Sequence, residues 1–163
     1  MVRRAVRRVA NEMPHVEVAA LTRAGGPVEI YRRLREFERY PEQTEAVVKV
    51  IVFDRAPDRC RSSWEVRFRN GILRWEEEDL FDDERRIISF RQTRGDLEHF
   101  AGRWLVEERG EACAVIFSAD FEIGIPLLAS VINPLAKQAL KDNVVLILTG
   151  LLGENITVMK DSG

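Results

Sequence analysis

The sequence predicts an α+β fold: a curved antiparallel sheet of about seven strands wrapped around a long apolar C-terminal helix, preceded by two short helices after the first strand. Three observations carry this. A run of β-branched, alternating segments between residues 46 and 123 is joined only by tight, turn-rich connections, which makes a meander. Asn70-Gly71 sits between two such segments and marks a hairpin. The stretch Val144–Leu152 is apolar nearly all round, and a helix of that kind is buried on most sides, which a curved sheet can supply.

The chain has 163 residues, enough to close one sizeable core, with 45% apolar and 32% charged residues. Its formal net charge of −2, with acids and bases interspersed, gives no global pull toward nucleic acid. The opening Met1–Val9 is basic but lacks the apolar core of a secretory signal, so residues 1–13 read as a flexible basic segment before a domain over 14–155 and a tail at 156–163. Leu127–Leu152 is interrupted by Asn133-Pro134, Lys137, Lys141, Asp142 and Asn143, so no membrane span is expected. Cys60 and Cys113 lack metal-ligand spacing and read as free thiols of a cytoplasmic protein. No phosphate-binding glycine loop, zinc spacing or Ser-His-Asp arrangement is visible, and no cofactor or metal is called for.

In chain order, His15–Thr22 reads as a strand and Arg23–Pro27 as a turn that places proline at a helix start. Ile30, Leu34 and Phe37 recur at helical spacing until Tyr40-Pro41 breaks the pattern, and Ala46–Asp54 is a β-branched run. If Asn70-Gly71 forms the two-residue turn, Arg69 faces Ile72, Val66 faces Trp75, Trp64 faces Glu77 and Ser62 faces Asp79. Alternation then puts Trp64, Val66, Phe68, Leu73 and Trp75 on one face, the inner one because it is apolar, and carries Glu77 and Asp79 inward with them. Strands over 86–93, 97–107 and 112–123 follow, with Gly102, Trp104 and Val106 on one face, and Phe117, Ala119 and Phe121 on one face. For the strand at 86–93, a four-residue loop puts Ile88, Phe90 and Gln92 inside, whereas a bulge brings in Arg91. The last helix, over 127–155, carries a stripe through Leu128, Ile132, Leu135, Ala139, Asn143, Leu146 and Gly150.

Glu77 and Asp79, two residues apart on one inner face, lie about 6–7 Å apart at the backbone. Burial raises both pKa values, and mutual repulsion holds one protonated while the other ionises, which supplies an acid and a base on one wall of an apolar pocket. The competing reading places them at an open rim, solvated or paired with Arg86 or Arg91. Trp64, Trp75, Phe90, Gln92, Trp104, Phe117, Phe121 and Asn143 are the candidate ligand-lining residues; filling the core is the plainer role for the aromatic ones. Asn143, on an apolar stripe, needs a partner if buried: a ligand carbonyl, a strand group or a water.

The segments Phe37–Glu42, Arg74–Asp79, Gly95–Trp104 and Phe121–Pro126 resemble the START-like superfamily, in its polyketide cyclase/dehydrase branch near the coenzyme Q-binding proteins, over about residues 14–155. The resemblance implies a helix-grip fold with a cavity between sheet and C-terminal helix. Its ligand would be a hydrophobic poly-β-keto or aromatic intermediate, delivered by an acyl carrier protein and cyclised or dehydrated there. The alternative it implies is a non-catalytic carrier of a quinone or lipid. Trp75, Trp104 and Asn143 match family positions that line the cavity. A strand arginine and a tyrosine that steer ring closure in aromatase/cyclase members fall at Asp79 and Val47 here.

Overall fold

The structure is a computed structural model that describes residues 13–124 and 129–160, with side chains from 133 onward in the last helix. The N-terminal basic segment lies outside the described residues except for Met13. Eight strands form one antiparallel sheet: β1 (His15–Thr22), β2 (Val47–Ala56), β3 (Arg59–Phe68), β4 (Gly71–Asp82), β5 (Ile87–Gly95), β6 (His99–Arg109), β7 (Ala112–Glu122) and β8 (Thr157–Val158). The order across the sheet is β2-β3-β4-β5-β6-β7-β1-β8, so a meander of six strands is closed by the first strand returning beside the last of them. The eighth strand comes from the segment read as a tail: Thr157 pairs with Leu21 and Val158 with Ala20.

Between β1 and β2 lie α1 (Pro27–Arg35), a 3-10 turn (Phe37–Arg39) and α2 (Tyr40–Gln43). Pro27 opens α1 where its missing N–H costs nothing, and Glu29 in the first turn with Arg32, Arg33 and Arg35 in the last complements the helix dipole. Tyr40-Pro41 does not end helical structure but starts α2, since proline is tolerated in a first turn. The long helix α3 (Ala129–Leu152) runs on through Pro134.

The β3–β4 hairpin differs from the sequence expectation by one turn position. Its loop is Arg69-Asn70, with Arg69 in the left-handed region (φ 55°), and Phe68 faces Gly71. Val66 therefore faces Leu73, Trp64 faces Trp75, Ser62 faces Glu77 and Cys60 faces Asp79. The Asn-Gly turn would have placed Trp64 against Glu77; the observed register instead stacks the two indoles, with centroids 6.0 Å apart and planes 4° from parallel. Cross-strand aromatic packing outweighs turn preference here. Because the register moves by two in total, every side chain keeps its expected face, and Glu77 (5% exposed) and Asp79 (0%) are inside.

Asp82 pairs with Ile87 across a four-residue loop, so Ile88 and Phe90 are buried, Gln92 is half-buried and Arg91 is exposed. Gly102 faces Ala119 on the inner side, where a Cβ would stand 2.1 Å from the Ser118 carbonyl oxygen, so β6 and β7 approach there as only glycine allows.

The buried stripe of α3 is not the expected one. Ala136, Leu140, Val144, Ile147, Leu148 and Leu151 face the sheet, whereas Leu135 and Leu146 are exposed at 51% and 54%. Leu128 and the side chain of Ile132 lie outside the described residues. Gly150 belongs to the contact with α2, where a Cβ would sit 2.2 Å from the Gln43 carbonyl oxygen.

Candidate functional site

Between α3 and the inner face of the sheet lies a cavity of about 70 Å³. Eight of its fifteen lining residues are aromatic. Their rings form a continuous chain. Phe37 and Tyr40, from the helical turn after α1, pack edge-on against Trp64 at 5.2 and 5.5 Å. Trp64 stacks on Trp75, and Trp75 meets Phe100 edge-on at 5.4 Å. Phe100 leads to Phe90, Phe90 to Phe117 at 5.8 Å, and Phe117 to Trp104 at 4.7 Å. Leu140, Val144 and Ile147 of α3 close the other side.

Of the residues singled out in the sequence, Trp64, Trp75, Glu77, Phe90, Trp104, Phe117 and Asn143 line this cavity together. Phe121 is fully buried but is not among the lining residues. Gln92 also stands outside the lining; its Nε2 donates to the Leu97 carbonyl at 2.7 Å, while its buried Oε1 accepts no hydrogen bond. Asp79 is sealed behind Glu77 and does not reach the cavity. Sequence reasoning missed Phe37, Tyr40 and Phe100. Phe100 was legible, since alternation puts it on the face of Gly102 and Trp104; Phe37 and Tyr40 were hidden by reading Tyr40-Pro41 as a break.

The two carboxyls sit in one polar network within this apolar interior. The Trp75 indole N–H donates to Glu77 Oε1 at 2.6 Å. The Trp64 indole N–H donates to Ser62 Oγ at 2.8 Å, and the Ser62 hydroxyl donates to Asp79 Oδ2 at 2.5 Å. The Cys60 thiol contacts the same oxygen at 3.5 Å. Asp79 Oδ1 is buried and has no partner at ordinary hydrogen-bond length.

Burial pushes Glu77 well above the usual carboxylate range; the hydrogen bond to Asp79 and its negative charge push it further, and the Trp75 N–H only partly opposes them. Burial also raises Asp79, against the hydrogen bonds from Glu77, Ser62 and Cys60. Glu77 therefore keeps its proton while Asp79 ionises first. Burial, Asp79 and Glu77 push the Cys60 thiol up to about 12, and the Tyr40 hydroxyl, raised mainly by burial, stays protonated and donates to the Leu34 carbonyl at 2.6 Å. Neither carboxyl is paired with Arg86 or Arg91: Arg91 binds Glu78 on the outer face, and Arg86 donates to the Val106 carbonyl. The Asn143 amide is taken by a strand group, donating to the Arg67 carbonyl at 2.6 Å and tying α3 to β3.

No group of three or more metal-ligating side chains occurs among the described residues, and no described helix is long and apolar enough to cross a membrane.

The model of the family described as polyketide cyclase / dehydrase and lipid transport matches residues 27–145. No curated protein matches the chain in sequence. Among solved structures, TTHA0849 from Thermus thermophilus superposes with a TM-score of 0.78 at 27% identity, covering 85% of this chain and 94% of that one. The Zhui aromatase/cyclase from Streptomyces sp. R1128 gives 0.77 at 20% identity, over 88% and 93%. A START superfamily protein from Mycobacterium smegmatis gives 0.72 at 16% identity, over 85% and 97%; these last two likenesses speak for the helix-grip fold alone.

Proposed function

The chain belongs to the polyketide cyclase / dehydrase and lipid transport family, and from that membership we propose that its cavity holds a hydrophobic poly-β-keto or aromatic intermediate and promotes cyclisation or dehydration. The observation that carries this reading is a neutral acid, Glu77, in the wall of a cavity whose other lining residues, Asn143 apart, are aromatic or aliphatic. A carboxylic acid held neutral there can donate its proton to a ligand carbonyl oxygen and, once ionised, accept one from the adjacent carbon, so that a keto unit enolises and closes on a second carbonyl. Asp79 does not touch the cavity and acts through Glu77, its negative charge keeping the proton on its neighbour. The ring-lined walls hold the chain folded toward attack, which supplies the remaining acceleration. An acyl carrier protein delivering the intermediate belongs to the same reading.

A second reading, a carrier of a quinone or lipid, draws support from the residues at two positions: Asp79 and Val47 stand where the resemblance to aromatase/cyclase members puts an arginine and a tyrosine. Two experiments separate the readings. Native mass spectrometry of the freshly purified protein, set against its denatured mass, shows a near-stoichiometric quinone or lipid if it is a carrier. Product analysis with a poly-β-keto substrate shows lost turnover and retained binding for Glu77→Gln if it is an enzyme. A carrier tolerates that change and loses affinity on Trp75→Ala or Trp104→Ala.

A further inference from the structure

The cavity contains an imbalance of charge that its own residues do not correct. Two carboxyls lie on the same inner face, and one of them reaches the lumen. Among the described residues no lysine, arginine or histidine lines the cavity, and no cationic side chain acts on either carboxyl. What compensates them is a set of neutral donors: one indole N–H on Glu77, and one hydroxyl and one thiol on Asp79. One buried carboxylate oxygen, Asp79 Oδ1, is left without an ordinary partner. On the outer surface several acids are matched with arginines: Glu65 with Arg74, Glu78 with Arg91, Asp83 with Arg35. The interior pair has no such partner among the described residues.

We infer that the missing counter-charge comes from the ligand, and that the cavity selects an organic ammonium, a hydrophobic molecule carrying a protonated nitrogen. Two features of the enclosure favour such a cation. Aromatic ring faces carry negative electrostatic potential and attract a desolvated ammonium, and here Trp64, Trp75 and Phe100 line the cavity together with Glu77. An ionised carboxylate is costly to bury alone but stable beside a buried cation to which it is hydrogen-bonded. Binding therefore lets the pair surrender the proton that burial otherwise makes it keep. The proton leaves Glu77 for solvent, the ammonium N–H takes its place against the carboxylate, and no covalent bond changes within the ligand. An anionic ligand is excluded by the same argument, since it would add a third acidic group to a site without a cation. This inference rests on the cavity being the ligand site, not on the acid role given to Glu77 above, and takes the hydrophobic or aromatic ligand held there to bear a basic nitrogen.

The test uses the full chain at pH 7.5 with three probes of one size: benzylamine, benzyl alcohol and benzoate. Calorimetry and tryptophan fluorescence are expected to give benzylamine at least about tenfold tighter binding than benzyl alcohol, and no binding of benzoate. Repeating the benzylamine titration in phosphate and in Tris, whose ionisation heats differ, is expected to reveal net proton release, a readout that needs no variant. In Glu77→Gln, and separately in Asp79→Asn, the amine-to-alcohol affinity ratio is expected to fall toward one. Equal binding of amine and alcohol to the native chain, or a ratio that survives both substitutions, overturns the inference and leaves the cavity as a site for neutral ligands. Binding of none of the three probes overturns the inference together with the reading of the cavity as the ligand site.

Discussion

Glu77 and Asp79 make the protein's stability depend on pH in a direction that can be worked out. The unfolded chain titrates these groups near 4.5 and 3.8, and folding raises both. Between those values and the raised ones the native state holds protons that the unfolded chain has lost, so stability is full below about pH 4 and falls as pH rises. The slope is at most about 1.4 kcal/mol per pH unit for each group that resists ionisation. Glu77→Gln keeps the shape and the Trp75 hydrogen bond but removes the titration. Urea unfolding at pH 5, 7 and 9 is therefore expected to show a steeper loss for the native chain than for the variant; parallel slopes would mean that Glu77 ionises freely. Ser62→Ala, which strips Asp79 Oδ2 of its 2.5 Å donor, is expected to cost about 1–3 kcal/mol at pH 7 in the same assay, the penalty of an acceptor left buried. At this scale the sequence told which face each side chain takes, because alternation has a period of two. It did not tell depth: Glu77 and Asp79 share a face, yet only one reaches the lumen, and that depends on where α3 ends its approach.

Helix α3 and the β3–β4 hairpin show where local pattern loses its authority over an element. From Val144 to Leu152 almost every residue is apolar, so periodicity cannot fix which stripe turns inward, and packing against the sheet settles it one position away from the expected stripe, at Ala136, Leu140, Val144 and Leu151 rather than Leu135 and Leu146. The hairpin was signalled correctly and its turn was centred one residue late, because a loop signal of two residues competes with the stacking of two indoles. Gly150 gives α3 a testable peculiarity. Replacing a glycine inside a helix by alanine ordinarily stabilises by up to about 1 kcal/mol. Here the added methyl would lie 2.2 Å from the Gln43 carbonyl oxygen and 2.9 Å from the Thr44 Cβ, where backbone, not a pliant side chain, is in the way. Gly150→Ala is thus expected to destabilise, by about 1–3 kcal/mol as overpacking does, and to loosen α2 from α3. Denaturant unfolding reads the sign directly: a more stable variant would show that the two helices have room to part.

At the scale of the whole molecule, the order of elements was legible because turns and alternation are local, whereas the volume left inside was not, because it depends on how closely eight rings and one helix settle together. They settle closely. About 70 Å³ holds a water or two, far below the roughly 300–1,000 Å³ of sites that enclose drug-sized ligands. An interior lined by Trp64, Phe90, Trp104 and Phe117 on the sheet and by Leu140, Val144 and Ile147 on α3 cannot admit a bicyclic molecule until rings turn aside or the helix lifts. The hydrogen bond from Asn143 to the Arg67 carbonyl is one of the ties that must yield if the helix moves. Ligand uptake then requires an opening step before or during binding, and the opening sets a ceiling on the rate. Mixing the protein with excess 2-naphthol in a stopped-flow instrument and following tryptophan fluorescence is expected to give an observed rate that rises with ligand concentration and then saturates, with an apparent association constant below the roughly 10⁵–10⁷ M⁻¹s⁻¹ usual for unhindered docking. Asn143→Ala is expected to raise the plateau about two- to tenfold, since losing a tie worth roughly 0.5–1.5 kcal/mol favours the open form by that factor. A rate that stays linear in ligand up to the instrument's limit would mean that the cavity already stands open. A plateau unchanged by Asn143→Ala would place the moving part among the rings rather than at the helix.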